Sequence, residues 1–158
     1  MKLRDIVVEQ AIRPSLTATD RDGVVAELVD ALVEAGVTGS ASRDDLVKSV
    51  LAREEKGSTG FGKGVAVPHV KHSGLEGMAG AIGLSQAGID FAALDKQPVY
   101  VVFVLLSPDA KPEDHLHAME VIFRNLSLPN FRRFLRQATT VEEVMTLLDE
   151  ADDNQLGG

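Results

Sequence analysis

Two stretches in the first third of the chain repeat apolar residues at the spacing of one helical face. The first lies between Asp20, a good N-cap residue, and Gly36, a typical helix terminator. The second begins at about Ser42, with Asp45 as a weak analogue of a capping box, and should end near Gly57. The apolar faces comprise Val24, Val25, Leu28, Val29, Leu32 and Val33, then Leu46, Val47, Val50 and Leu51. The pattern therefore predicts two consecutive amphipathic helices.

Three apolar segments in the middle of the chain are typical of β-strands: residues 65–67, 79–85 and 98–106. The last is apolar at nearly every position, which predicts a central strand covered on both faces. The segment 57–64 contains four glycines, which argues against a helix there. His69 should then lie at the end of the first strand.

The C-terminal third again has helical spacing. Pro112 suits a first helical turn, and Pro129 should end that helix. The predicted buried stripe comprises Leu116, Met119, Ile122, Phe123 and Leu126. A final helix should start at about Thr140, with Glu143 completing a capping box. Its inward-facing residues should be Val144, Leu147 and Leu148.

These elements predict an α/β (α+β) fold with a mixed central β-sheet flanked by α-helices on both faces. The 158 residues are enough for one hydrophobic core. We expect a single domain over residues 1–150, followed by a flexible tail over residues 151–158.

The composition excludes several classes of protein. The longest apolar run is far shorter than the roughly 20 residues that span a bilayer, and the N-terminus lacks the layout of a signal peptide. We therefore expect a cytoplasmic protein without membrane insertion. The net charge of −8 opposes binding to nucleic acid. The absence of cysteine removes thiolate chemistry and cysteine metal sites, which leaves histidine to carry the chemistry.

The four histidines fall into two close groups, His69 with His72 and His115 with His117. His69 follows a proline and a buried strand, so its imidazole should be presented at the rim of the sheet, as suits a nucleophile. His115 lies near the start of a helix, where free backbone N–H groups favour an anion. A phosphate between these two rings would be well placed. The alternative is two unrelated histidines, and we interpret His72 and His117 as solvated polar residues.

Two other readings of these motifs are weaker. Residues 57–64 match the glycine and lysine positions of a nucleotide-binding P-loop, but Gly64 replaces its Ser or Thr. The segment also follows a helix and leads into a strand, the reverse of a P-loop. The histidine spacings H-x-x-H and H-x-H suggest zinc but lack the geometry of a zinc protease helix, so a zinc hydrolase is a distant alternative.

The segment A52-R-E-E-K-G-S-T-G-F-G-K-G-V-A-V-P-H69 resembles the signature of enzyme IIA of the fructose/mannitol/nitrogen class of the bacterial phosphotransferase system. The later D114-H-L-H-A-M and the C-terminal segment that begins F131-R-R-F-L-R are also similar to this family. The resemblance covers nearly the whole chain and implies the fold predicted above.

The resemblance implies a phosphohistidine carrier that needs no metal and no cofactor. By this resemblance, His69 accepts phosphate from the carrier protein HPr, His115 is the second active-site histidine, and Arg53 is the active-site arginine. Ser58 and Thr59 match a hydroxyl pair that would bind phosphate, although turn stabilisation explains them equally well. Val70, where many relatives have Gly or Ala, is expected to narrow the mouth of the site.

The resemblance leaves two roles open. One is a nitrogen-type regulator whose phosphorylation state controls binding to target proteins, which is the role we favour. The other is a sugar-transport component that passes its phosphate to an enzyme IIB of the fructose/mannitol type.

Overall fold

A six-stranded mixed sheet organises residues 1–157, the part of the chain that the computed structural model describes. The strands are β1 (Val7–Arg13), β2 (Gly60–Gly62), β3 (Val65–Ala66), β4 (His69–His72), β5 (Ala79–Ile89) and β6 (Val99–Pro108). The helices are α1 (Leu3–Ile6), α2 (Arg21–Glu34), α3 (Arg43–Lys56), α4 (Pro112–Leu126), α5 (Pro129–Gln137) and α6 (Val141–Asp152). The strand order is β1-β5-β6-β3-β2, and β4 also pairs with β6.

Strand β6 is the centre of the sheet, as its apolar sequence predicted. It pairs with β5 in antiparallel fashion on one side and with β3 and β4 in parallel fashion on the other. All of its residues are buried except Tyr100, which is half-buried. Because β3 and β4 lie in succession along the same edge of β6, the break between them at residues 67–68 lies beside the middle of β6.

Helices cover both faces of this sheet, which confirms the predicted architecture. One core lies between the sheet and α2 with α3, and the other lies between the sheet and the helices α1, α4, α5 and α6. The predicted N-cap residues are also in place, although the Glu143 carboxylate accepts from the N–H of Thr139 instead of completing the predicted capping box with Thr140. The side chains of Asp20, Ser42 and Thr140 each accept a hydrogen bond from the backbone N–H three residues further on.

Several elements differ from the sequence prediction. The strands β1, β2 and β4 and the helices α1 and α5 were not predicted, and Pro129 begins α5 as well as following α4. Proline suits a first helical turn because it lacks only an N–H that this turn does not use, and it follows a helix because it cannot continue one. Leu116 was predicted to be buried, but its side chain is 61% exposed, and Ala118 and Val121 lie in the core instead.

The C-terminal residues pack more closely than expected. Helix α6 continues to Asp152, and Leu156 is 6% exposed and belongs to the core formed by α1, α4, α5 and α6. The carboxylate of Asp152 also accepts hydrogen bonds from the backbone N–H groups of Leu3 and Arg4. Part of the predicted flexible tail, residues 151–156, thus packs against the domain, and Gly158 lies outside the described residues.

Candidate active site

The two histidines singled out by the sequence come together at one end of the sheet. His69 is the first residue of β4 and pairs with Leu105 of β6, while His115 lies in the first turns of α4, which follows β6. Their ring centroids are 5.6 Å apart, and the ring planes are inclined by 42°. This confirms that the two histidines are neighbours, although nearly fifty positions separate them in the chain.

The orientation of His69 follows from the break between β3 and β4. Its Nδ1 lies 2.7 Å from the carbonyl oxygen of Val67. A carbonyl oxygen accepts hydrogen bonds but cannot donate one, so Nδ1 carries the hydrogen and Nε2 keeps a free lone pair. The neighbouring carbonyl of Pro68 accepts from the N–H of Leu105, which anchors the break to the central strand. The free nitrogen of His69 is therefore set by the backbone.

His115 is held by a side chain instead. Its Nδ1 lies 2.8 Å from the hydroxyl oxygen of Ser107, a fully buried residue of β6. The backbone N–H of His115 is occupied in the helix by a bond to the carbonyl of Lys111. Of the two ring nitrogens of His115, only Nε2 has no hydrogen-bond partner among the described residues.

Both imidazoles are neutral at pH 7. Burial lowers the pKa of His69, and the charges of Arg53 and Lys71 lower it further, against the opposing effects of the Val67 hydrogen bond and the Glu54 carboxylate. Burial also lowers the pKa of His115 to about 4, with smaller contributions from His69 and Lys71. A neutral imidazole has the lone pair that nucleophilic attack requires.

Arg53 lies at the end of α3 with its charge close enough to influence His69. Its guanidinium donates one hydrogen bond, of 2.9 Å, to the carbonyl of Gly57. Within residues 1–157 it forms no ion pair. An arginine has five N–H donors in a planar fork, so most of them are free for an anion.

Ser58 and Thr59 use their hydroxyls to hold the loop after α3. The Ser58 hydroxyl donates to the carbonyl of Phe91 at 2.7 Å and accepts from the N–H of Gly60 at 2.9 Å. The Thr59 hydroxyl donates to the carboxylate of Glu54, which also accepts from the N–H of Thr59 at 3.2 Å. Both hydroxyls thus have protein partners, which favours the turn-stabilising interpretation over phosphate binding.

Glu54 is the residue of this site that sequence reasoning missed. Its side chain is only 3% exposed, and both of its oxygens face Thr59. A buried carboxylate is costly unless it is well hydrogen-bonded, and the adjacent loop supplies these bonds. The sequence feature that could have identified Glu54 is its position directly after Arg53 within the motif.

The remaining histidines do not join the pair. Nδ1 of His72 accepts a 2.9 Å hydrogen bond from the N–H of Gly74, and His117 is exposed on α4. Across residues 1–157, no three His, Cys, Asp or Glu side chains come together as a possible metal site. The interpretation of His72 and His117 as polar residues outside the site therefore fits the structure, and a zinc hydrolase has no ligand set in the described chain.

Two further expectations concern residues 57–70. The glycine-rich segment forms the antiparallel pair β2–β3, with Gly62 and Gly64 at positive φ around its turn, so it is not a P-loop.

Val70 packs against the core beneath α2 and α3. Successive strand residues point to opposite faces, so Val70 turns away when His69 faces the site. The expectation that Val70 narrows the mouth is not supported.

Solved structures share this fold. The nitrogen regulatory protein IIA-Ntr of Neisseria meningitidis superposes with a TM-score of 0.84 and 29% identity, over 92% of this chain and 98% of that protein. IIA mannitol of Escherichia coli has a TM-score of 0.74 and 19% identity, over 89% of this chain and 97% of that protein. The domain therefore has the fold of the phosphotransferase-system IIA proteins.

The sequence assigns the family. Residues 5–151 match the profile of the phosphoenolpyruvate-dependent sugar phosphotransferase system, EIIA 2. The chain belongs to this family, which confirms the resemblance seen in its motifs. None of the helices within residues 1–157 is both long and apolar enough to cross a membrane.

Relatives in the family carry both regulatory and transport names. A nitrogen regulatory protein of Pseudomonas aeruginosa is 38% identical over 110 residues, which cover 70% of this chain and 71% of that protein. A nitrogen regulatory protein of Bradyrhizobium diazoefficiens is 34% identical over 148 residues, which cover 94% of this chain and 95% of that protein. The fructose-specific EIIABC component of Bacillus subtilis is 28% identical over 152 residues, but the chain spans only 24% of its length.

Proposed function

We propose that the protein is a phosphohistidine carrier that accepts a phosphoryl group on Nε2 of His69 from an HPr-like phosphocarrier protein. The observation that carries the proposal is the Nδ1 contact of His69 with the Val67 carbonyl, which leaves Nε2 as a free lone pair on a neutral ring. Family membership supports the same chemistry.

The transfer exchanges one phosphorus–nitrogen bond for another. The Nε2 lone pair of His69 attacks the phosphorus of the donor phosphohistidine, and the bonding pair of the broken P–N bond returns to the donor nitrogen. The donor ring, protonated on its other nitrogen, leaves as a neutral imidazole. The His69 ring, whose Nδ1 keeps its hydrogen on the Val67 carbonyl, takes up the positive charge, so no proton has to move. The chain's contribution is to position the acceptor ring and to stabilise charge on the transferred group.

Two neighbours of His69 would stabilise that charge. The free N–H groups of Arg53 offer a planar set of donors to the phosphoryl oxygens. His115, whose ring centroid is 5.6 Å from that of His69, is close enough to contact a group bound to the His69 ring. The hydroxyls of Ser58 and Thr59 act indirectly, because they shape the loop that carries the Gly57 carbonyl and hence Arg53.

Phosphorylation of variants tests this assignment. Incubation with enzyme I, HPr and phosphoenolpyruvate should place one acid-labile, base-stable phosphate on the wild type, whereas His69→Gln should take up none. The matched control is His117→Gln, which removes an exposed histidine of α4 and should be labelled at the normal rate. Normal labelling of His69→Gln would refute the proposal.

For the use of the phosphate, we favour a nitrogen-type regulator of cytoplasmic target proteins. The supporting observations are the 38% and 34% identities with nitrogen regulatory proteins and the TM-score of 0.84 with IIA-Ntr. A phosphate would add about −1.5 to −2 charges at pH 7 beside His69, enough to change the affinity of a protein that docks there. Unmodified and phosphorylated forms should therefore recover different partners in pull-downs.

The second candidate is a sugar-transport IIA that passes its phosphate to an enzyme IIB. A fructose-specific EIIA component of Haloferax volcanii is 33% identical over 82% of this chain and 83% of that protein, and one fold relative was solved as a complex of IIA mannitol with phosphorylated IIB mannitol. Identical partner sets for both forms, together with rapid discharge to a purified fructose-type IIB, would favour this role and reject the regulatory one.

A further inference from the structure

Ser107 lies behind His115 and is closed off from solvent, with 0% of its surface exposed. Its hydroxyl oxygen is 2.8 Å from Nδ1 of His115. Within the described residues this is the only hydrogen bond recorded for that hydroxyl. The three preceding residues of β6, Val104 to Leu106, are buried and apolar, so their side chains offer this hydroxyl no acceptor.

The direction of this hydrogen bond follows from counting hydrogens. A hydroxyl has one hydrogen and two lone pairs, so it can donate to Nδ1 or accept from it. If His115 donated, the hydroxyl hydrogen of Ser107 would be buried without an acceptor, which is strongly disfavoured. If Ser107 donates, its hydrogen is used and only a lone pair is unmatched. The second arrangement places the hydrogen of the neutral His115 ring on Nε2.

His69 is held in the opposite way, since the Val67 carbonyl must accept from Nδ1. We propose that Ser107 is a positioning residue that holds His115 as the Nε2–H tautomer, so that His115 presents a donor to the phosphoryl group while His69 presents a lone pair. The role in transfer rests on the proposed function, whereas the tautomer assignment rests on geometry alone.

Opposite tautomers give the two rings complementary tasks. Two neutral rings that both presented lone pairs would offer no hydrogen bond to the phosphoryl oxygens and would repel them. With Nε2–H on His115, a neutral ring supplies a donor at a position where negative charge must be stabilised. Because Ser107 sets this arrangement before the phosphoryl group arrives, no tautomer exchange is needed during transfer.

The proposal is distinct from a purely structural role for Ser107. A buried serine that only fills space would affect stability when replaced, but it would leave the hydrogen of His115 where it was. A serine that sets the tautomer must change the nitrogen spectrum of one histidine and leave the other unchanged. The spectrum of the imidazole nitrogens therefore separates the two explanations.

The decisive experiment uses the full chain labelled with ¹⁵N, unphosphorylated and at pH 7, and records long-range ¹H–¹⁵N correlations of the imidazoles. In the wild type we expect the Nδ1–H tautomer for His69 and the Nε2–H tautomer for His115. In Ser107→Ala, His115 should show averaged nitrogen shifts from mixed tautomers, and His69 should not change. Ser107→Thr keeps a hydroxyl and should restore the wild-type pattern.

A matched control is Ser85→Ala, which removes the hydroxyl of a β5 serine that accepts from the N–H of Gly88 and is unconnected to either histidine. It should leave both tautomers unchanged. The kinetic counterpart is phosphoryl uptake from phosphorylated HPr. We expect Ser107→Ala to slow it by about two- to tenfold, the effect of one hydrogen bond, and Ser107→Thr to recover most of the rate.

An Nδ1–H tautomer for His115 in the wild type would overturn the proposal, and so would an unchanged His115 spectrum in Ser107→Ala. If Ser107→Ala does not fold, the wild-type spectrum still decides the tautomer of His115, and an Nδ1–H ring there overturns the proposal. The tautomer measurement needs no phosphate. If the wild type shows the expected tautomers but takes up no phosphate, the proposed function fails while the tautomer assignment stands.

Discussion

The two imidazoles of the candidate site are anchored in different ways. The ring of His69 is anchored by a backbone carbonyl, that of Val67, and the ring of His115 by a side chain, that of Ser107. A carbonyl imposes one tautomer whatever side chain surrounds it, whereas a hydroxyl works in either direction and disappears with a single substitution. The comparison teaches that the proposed acceptor is secured by the chain path, while its proposed assistant depends on one buried side chain.

Apart from replacement of His69 itself, we expect the largest loss of phosphoryl uptake when one of the two assisting residues is replaced. His115→Ala and Arg53→Ala should fold normally but slow phosphoryl uptake by about 10²-fold or more, since each removes charge stabilisation on the order of a few kcal/mol. Initial rates of labelling by phosphorylated HPr measure this. Arg124→Ala, which changes an exposed arginine of α4, is the control. Uptake at the wild-type rate in His115→Ala would show that the two rings do not act together.

A smaller effect, on stability rather than transfer, is expected at Thr59. Thr59→Val removes the hydroxyl that donates to the buried carboxylate of Glu54, so unfolding in urea should show a loss of about 1–3 kcal/mol. Thr59→Ser keeps the hydroxyl and should lose clearly less. Below its melting temperature, Thr59→Val should still accept phosphate. A stable Thr59→Val protein with abolished uptake would instead favour direct phosphate binding by Thr59.

The pH dependence of stability sharpens the contrast between the two rings. Burial lowers the pKa of His115 to about 4 in the folded protein, while in the unfolded chain it is about 6.5. Between these values the unfolded state binds more protons, so this residue's contribution is unchanged above pH 6.5 and destabilises the fold as the pH falls towards 4. At about 1.4 kcal/mol per pKa unit, the loss of stability is at most about 3.5 kcal/mol, and partial exposure of the ring reduces it.

The variant His115→Asn isolates this contribution, because it keeps a polar side chain but cannot titrate in this range. Urea unfolding of both proteins from pH 7 to 4 should show a stability difference that shifts in favour of the variant as the pH falls. A difference that stays constant would mean that His115 is not a neutral, buried imidazole in the folded state.

The smallest expected signal is metal content. If Nε2 of His115 carries a hydrogen, the two rings present only one lone pair between them and make a poor zinc site. Elemental analysis of protein purified without chelator should give zinc well below one per chain. Near-stoichiometric zinc that disappears in the double variant His69→Ala/His115→Ala would revive the hydrolase alternative and break the contrast between the two rings.

Much of the fold could be predicted because it depends on local signals. The period of apolar residues and the capping side chains of Asp20, Ser42 and Thr140 located α2, α3 and α6, and a run of apolar residues marked β6 as the central strand. The elements that were missed are short or lack periodicity. Strands β2 and β4 have only three and four residues and exist because β3 and β6 offer hydrogen-bonding edges.

The exposure of the apolar residues of α4 shows the same limit of prediction from the sequence. Leu116 and Met119 have the same chemical character and helical spacing, yet Leu116 is 61% exposed and Met119 is 9% exposed. The angular position of a helix on its sheet decides which of them is covered, and that position is set by packing with distant elements. Sequence periodicity identifies an apolar stripe but not its edges.

The sequence by itself determined the family, the central strand and the histidines that carry the proposed chemistry, because these are encoded in motifs and apolar runs. Only the tertiary structure decided how those histidines are oriented. The Val67 carbonyl becomes available because the chain breaks between two strands that share one edge of β6, and Ser107 meets His115 because α4 folds back over the strand that precedes it. A hydrogen bond depends on the placement of both partners in space, which residue spacing alone does not specify.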